Sequence, residues 1–135
     1  MYSNILVPVA FDEEHNPDAA LNVARALSSD GARVTLLHVM EDVPAYAISY
    51  MPEGYAVELQ GAIESELRSR AAEFDDGAWK ILAGQAAHEI LTYAEEIGAD
   101  CIVIASHRPG FGDYLIGSTA GRVVRHATCA VMVMR

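Results

Sequence analysis

The chain is expected to fold as an α/β protein: a single domain over residues 1–135, built as a three-layer sandwich around an open parallel sheet of five strands. Apolar runs of strand length alternate along the sequence with longer segments of helical periodicity, the order that generates β-α-β units with right-handed crossovers. Several of those runs are apolar without interruption, as strands covered on both faces must be. With 135 residues and 52% hydrophobic content, the chain has enough material to bury a substantial core.

Ile5 to Ala10 is the first such run, bounded by Asn4 and the acidic stretch Asp12, Glu13 and Glu14, and it reads as a central strand. Asn16, Pro17 and Asp18 then supply a cap, a first-turn proline and an early acid. Ala20, Leu21, Ala24 and Leu27 follow at helical spacing, and the helix is expected to end near Asp30 and Gly31. Val34 to Val39 is the second buried strand. Met40 to Tyr55 carries Pro44 and Pro52 and reads as a loop or partly helical excursion, with Tyr46, Tyr50, Met51 and Tyr55 clustered in it for helix packing, partner contact or a lid.

Leu59, Ile63, Leu67 and Ala71 form one stripe within a long helix from Val57 to Phe74, whose Arg68 and Arg70 can pair with glutamates four residues away. Trp79 to Leu82 is a short strand. Ala87 to Ile97 is a helix closed by Gly98, Asp100 to Ala105 a strand, Ser118 to Ala127 a helix and Ala130 to Met134 the last strand.

The charge balance narrows the function. The formal net charge is -10, yet residues 107–135 hold four arginines (Arg108, Arg122, Arg125 and Arg135) against one acid, Asp113. Nucleic acid and anionic membrane surfaces require an extended basic face and are excluded as partners, whereas a small anion fits a local positive site. Lys80 is the single lysine, and no GK[ST] sequence exists for a Walker-type loop. The apolar runs are too short to span a bilayer and the start lacks a basic signal head, so a cytoplasmic location is expected. Cys101 and Cys129 read as small buried hydrophobes. The five histidines have no metal-ligand spacing, so no metal site is expected; His38 and His126 read as structural, and His15 and His88 as surface residues.

Open parallel sheets bind ligands at the carboxyl ends of their strands, where strand order reverses. With the first strand central and the fourth beside it, that crevice lies between Pro8 to Asp12 and Ala105 to Arg108. Gly117, Ser118 and Thr119 close it, with their amides expected to point inward at the positive end of a helix. Serine and threonine there also serve as ordinary helix caps. His107 can contact ligand or hold a structural hydrogen bond, and Arg108 can clamp phosphate or lie in solvent. A flavodoxin-like phosphate loop would fall on Asp12, Glu13 and Glu14, which repel phosphate.

These residues carry a family resemblance over the whole chain. Ile5-Leu6-Val7-Pro8-Val9, Leu36-Leu37-His38-Val39, Gly84, the stretch from Ile104 through Gly117-Ser118, and Arg125 through Val133 together resemble the universal stress protein (UspA-like) family. Ser106-His107-Arg108-Pro109 followed by Tyr114-Leu115-Ile116-Gly117-Ser118 is similar to its enterobacterial F and G branch, which binds ATP. The resemblance implies a Rossmann-like, adenine nucleotide alpha hydrolase-like fold with strand order 3-2-1-4-5. It also implies an adenine nucleotide, ATP or AMP and with or without magnesium. Val39 would meet the base through its backbone, Pro8, Val9, Ala10 and Asp12 would line base and ribose, and Ala105, Ser106, His107 and Arg108 would wrap ribose and phosphates. Gly117, Ser118, Thr119 and Ala120 would hold phosphate.

Ala105 and Arg108 stand where the family's motif has its two leading glycines, eight residues rather than nine separate Arg108 from Gly117, and Ala10 replaces the usual aspartate. The resemblance further implies a homodimer through Ala130, Val131, Met132, Val133 and Met134, in keeping with the need to cover an apolar edge strand. Three functions follow: a nucleotide-binding regulatory module of the stress response acting on a signalling partner, a dimeric interaction module whose pocket is empty, and a slow ATPase or autophosphorylating protein using Ser118 or Thr119. No catalytic residue is assigned, because no general base is placed by the sequence.

Overall fold

A computed structural model describes residues 1–11, 16–41, 45–106 and 116–135. Among these, five strands form one parallel sheet in the order β3-β2-β1-β4-β5, as expected. The strands are β1 (Tyr2–Pro8), β2 (Ser28–Met40), β3 (Asp76–Ala83), β4 (Cys101–Ala105) and β5 (Ala130–Met134). The helices are α1 (Asp18–Leu27), α2 (Ala45–Ile48), α3 (Tyr55–Ala71), α4 (Ala86–Ile97) and α5 (Ser118–His126).

The alternation of side chains along each strand divides the core in two. On one face Ile5, Val7, Val34, Leu36 and Val103 pack beneath α1 and α3. On the other Leu6, Leu37, Ile102 and Ile104 pack beneath α4 and α5. Because β1, β2 and β4 are clothed on both sides, their middles are apolar apart from the buried Thr35 of β2, which is why they read so clearly in the sequence. Cys101 belongs to the first layer and Cys129 to the second, so the two thiols lie on opposite faces of the sheet and are not placed for a disulfide. Burial pushes the Cys101 thiol up to about 11, with the neighbouring Cys129 and Asp100 adding to the rise, and leaves it unreactive at neutral pH.

The start of β2 departs from expectation. Helix α1 stops at Leu27, and Ser28 to Arg33, expected as helix end and loop, already belong to the strand. Tyr2 pairs with Ser28 but Asn4 with Arg33, so three extra residues bulge out of β2. Gly31 makes this possible by taking φ +75°. The helical stripe in α3 is also only partly buried: Ile63, Leu67 and Ala71 enter the core, whereas Leu59 is 39% exposed. Tyr46 and Tyr50 point to solvent, so that aromatic cluster forms no part of the core. Arg68 pairs with Glu64 and Arg70 with Glu66 as expected, and Arg70 also reaches Asp18 at the start of α1.

At the amino end of the sheet, Asp100 ties β1 to β4. Its carboxylate accepts from the Ser3 amide (2.8 Å), the Ser3 hydroxyl (3.1 Å) and the Asn4 amide (3.0 Å), while the Asp100 amide donates to the Asn4 carbonyl (2.9 Å). Burial alone would raise the carboxyl, but the Ser3 and Asn4 hydrogen bonds outweigh it and hold Asp100 below the usual aspartate range. A depressed folded-state value gives stability that is complete above the unfolded value of about 3.9 and is lost as pH falls through the folded one. Asp100→Asn is therefore expected to cost about 1 kcal/mol at pH 7. It should also flatten the fall in melting temperature below about pH 4. Parallel melting profiles for the two proteins in acid would show that Asp100 carries no such linkage.

Candidate functional site

The connections leaving β1 and β4 run to opposite faces, β1 into α1 and β4 into α5, so the carboxyl ends of these neighbouring strands part and leave a crevice. A cavity of about 560 Å³ occupies it. Its floor is formed by Pro8, Val9 and Ala10 after β1, Leu37 to Val39 in β2, and Ile104 and Ala105 at the end of β4. The walls come from three helix starts: Asn16, Pro17, Ala19 and Ala20 at α1, Ala86 and Ile90 at α4, and Thr119 at α5. Glu41 stands beyond β2 at one end, and Met134 and Arg135 at the other.

Local hydrogen bonding shapes the floor. Pro8 pairs with Leu37 and brings no N–H to the ladder. The Val9 amide then donates to the Leu37 carbonyl (2.8 Å), and the Val9 carbonyl accepts from His38 Nδ1 (2.9 Å). Because a carbonyl only accepts, Nδ1 carries the proton, and Nε2 lies on the opposite edge of a ring that packs against Phe11 at 5.7 Å. His38 thus holds the end of β1 in place after the regular ladder stops. The sequence marked it as a structural residue of a buried strand; it is half-buried and also lines the cavity, a position fixed by its place one residue before Val39.

Beyond β4, the Ser106 amide donates to the Met134 carbonyl (2.6 Å), and the Ser106 hydroxyl accepts from the Gly117 amide (2.6 Å). Ser106 therefore fastens the end of β4 to β5 and to the start of α5 at once. The expectation that the Gly117 amide points at a ligand changes accordingly: Ser106 takes it. Asn16 caps α1 through a hydrogen bond from the Asp18 amide to its side-chain oxygen (2.9 Å).

Of the residues singled out in the sequence, Pro8, Val9, Ala10, Val39, Ala105 and Thr119 converge on the cavity. Ser106 and Gly117 sit behind it, bonded to each other, and the Ala120 side chain is buried in the core beside Leu6 and Val123. Ser118 is exposed at the first position of α5. Asp12, His107 and Arg108 lie outside the described residues. The contributions of Asn16, Pro17 and Glu41 to the lining were not foreseen, and Arg135 entered only as one of the four arginines that make residues 107–135 locally positive. A cap read only as a helix start carries no sign of what it will face.

Apart from the Glu41 and Arg135 side chains at its ends, the described lining is mostly apolar, with Thr119, His38 and Asn16 as polar points. That composition suits a small organic ligand fixed by few polar contacts. Among the described residues, no group of three or more His, Cys, Asp or Glu side chains could hold a metal ion, and no helix is long and apolar enough to cross a membrane.

The model of the universal stress protein family matches residues 1–135. Universal stress protein G of Escherichia coli O157:H7 is 31% identical over 142 aligned residues, spanning 100% of both chains. Universal stress protein UspA from Lactobacillus plantarum superposes with a TM-score of 0.70 at 28% identity, over 99% of this chain and 98% of that one. Two structures that share the fold at lower identity were solved with ligands. One is a universal stress protein in complex with cAMP (TM-score 0.70, 16% identity, 99% and 97% covered). The other is the universal stress protein from Archaeoglobus fulgidus in complex with dAMP (TM-score 0.64, 20% identity, 99% and 98% covered).

Proposed function

The chain belongs to the universal stress protein family, and on that premise we propose that it binds an adenine nucleotide, ATP or AMP, in the crevice between β1 and β4 and acts as a regulatory module in the cytoplasm. The observation that carries the reading is the cavity itself: about 560 Å³ at the point where strand order reverses, apolar at Val9 and Val39, and bounded by the start of α5 at Thr119. The cAMP and dAMP complexes of two proteins with this fold support it.

In this reading the Val39 backbone meets the base, and Pro8, Val9 and Ala10 flank base and ribose. Ala105 and Ser106 turn the chain around the ribose, while Ser118, Thr119 and Ala120 offer phosphate the amides of the first turn of α5. Ser106 supports that turn rather than touching the ligand, since its hydroxyl is engaged by Gly117. The protein pairs with a second copy through β5, an edge strand on which Met132 is 40% exposed.

Chromatography of nucleotide released from the purified protein, followed by calorimetric titration with ATP and AMP with and without magnesium, tests the binding. Saturable binding of one nucleotide per chain is expected. An absence of heat at millimolar ATP and AMP would leave the family's fold without its ligand and favour an interaction module, whose mass light scattering would report.

A further inference from the structure

The cavity has an acidic side chain at one end and a basic side chain at the other. Among its described lining residues Glu41 has a carboxylate side chain and Arg135 a guanidinium, and they stand at opposite ends. Glu41 follows β2 and Arg135 follows β5, with β1 and β4 between them, so three strand spacings, or about 14 Å, separate the two positions along the rim. Neither makes an ion pair with a described residue.

From this arrangement we propose that Arg135 makes the pocket select phosphorylated nucleosides over nucleosides, with Glu41 at the other pole fixing the direction in which the ligand lies. The proposal rests on the adenine-nucleotide reading and adds to it a discriminating residue outside the glycine-containing loop. A phosphate at the β2 end would face the Glu41 carboxylate, whereas at the β5 end it meets a guanidinium able to bond two of its oxygens together. Thr119 lies at that same end in the first turn of α5, where the amide groups and helix dipole also favour an anion. An uncharged base with donor groups is the part of the ligand that suits the acidic pole. Size agrees with charge, because a base, a sugar and a phosphate in line are needed to reach from one pole to the other.

Arg135 is exposed and follows the last strand, so R135Q leaves the sheet and its packing unchanged. Calorimetric titration of the full chain with AMP and with adenosine is the test. The unaltered protein is expected to bind AMP more tightly than adenosine, and added salt should narrow that preference. R135Q should lower AMP affinity about tenfold without changing adenosine affinity, and R135K should recover part of the loss. E41Q should weaken AMP and adenosine binding alike, because the base that faces Glu41 is common to both ligands. An R135Q protein with an unchanged AMP-to-adenosine ratio overturns the role of Arg135, whether both affinities stay the same or fall together. An unaltered protein that binds neither ligand overturns the nucleotide reading beneath it as well.

Discussion

Ala105→Phe is expected to lower adenine-nucleotide affinity about 100-fold, close to 2.7 kcal/mol, with little change in melting temperature. Ala105 ends β4, is exposed, and lines the cavity on the same strand face as Cys101 and Val103. That face leads toward the start of α1, where Asn16, Pro17 and Ala20 form the opposite wall. A phenyl ring at Ala105 therefore enters the space between the two walls rather than the core, and it costs binding volume without displacing packed residues. Ala105→Ser adds one polar atom and should leave affinity within about threefold, since it leaves the volume open. Titration with AMP alongside thermal melting separates the outcomes. Full affinity in the phenylalanine variant would mean that the ligand binds elsewhere.

Gly77→Ala is expected to destabilise the protein by about 3 kcal/mol, although Gly77 itself is exposed. Helix α3 ends at Ala71, turns through the Phe74 amide to the Ala71 carbonyl (3.1 Å), and enters β3 at Asp76. The return is so tight that a Cβ on Gly77 would overlap the Ala71 carbonyl oxygen. Backbone meets backbone there, so no side-chain rotation relieves the clash, and either α3 or β3 must shift. Gly61 provides the opposite case. It lies inside α3 with nothing within 4 Å of its Cβ position, and Gly61→Ala is expected to stabilise by about 0.5–1 kcal/mol through helix propensity and a less flexible unfolded chain. Urea denaturation of both variants checks the pair. A Gly77→Ala midpoint equal to the unaltered protein's would show that the α3 to β3 return adapts freely.

The sheet was legible in the sequence because burial on both faces writes uninterrupted apolar runs. Ile5 to Val7, Val34 to Leu37 and Cys101 to Ile104 are buried throughout, with Thr35 the one polar residue among them. The first six residues of β2 were not legible. Ser28, Ser29, Asp30 and Gly31 have the composition of a helix end, and their strand state depends on pairing with Tyr2 across a bulge. Part of the site was visible as chain punctuation at Pro8, Ala105 and Thr119, and Val39 came with the family resemblance. The remainder depended on which residues face each other across the rim. That Gly117 would give its amide to Ser106, or that His38 would hold the Val9 carbonyl, follows from register and loop path, and neither has a spacing in the sequence.

Asp100 stitches the amino ends of β1 and β4, while the cavity opens at their carboxyl ends. Structural fastening and ligand contact are thereby assigned to opposite margins of the same two strands. Exchanges among Ala10, Ala105 and Arg135 leave the Asp100 clasp untouched, and loss of that clasp removes no atom from the pocket. A scaffold divided in this way lets descendants diverge in what they recognise while inheriting one robust architecture, and it predicts that ligand preference should be easier to evolve here than a new fold.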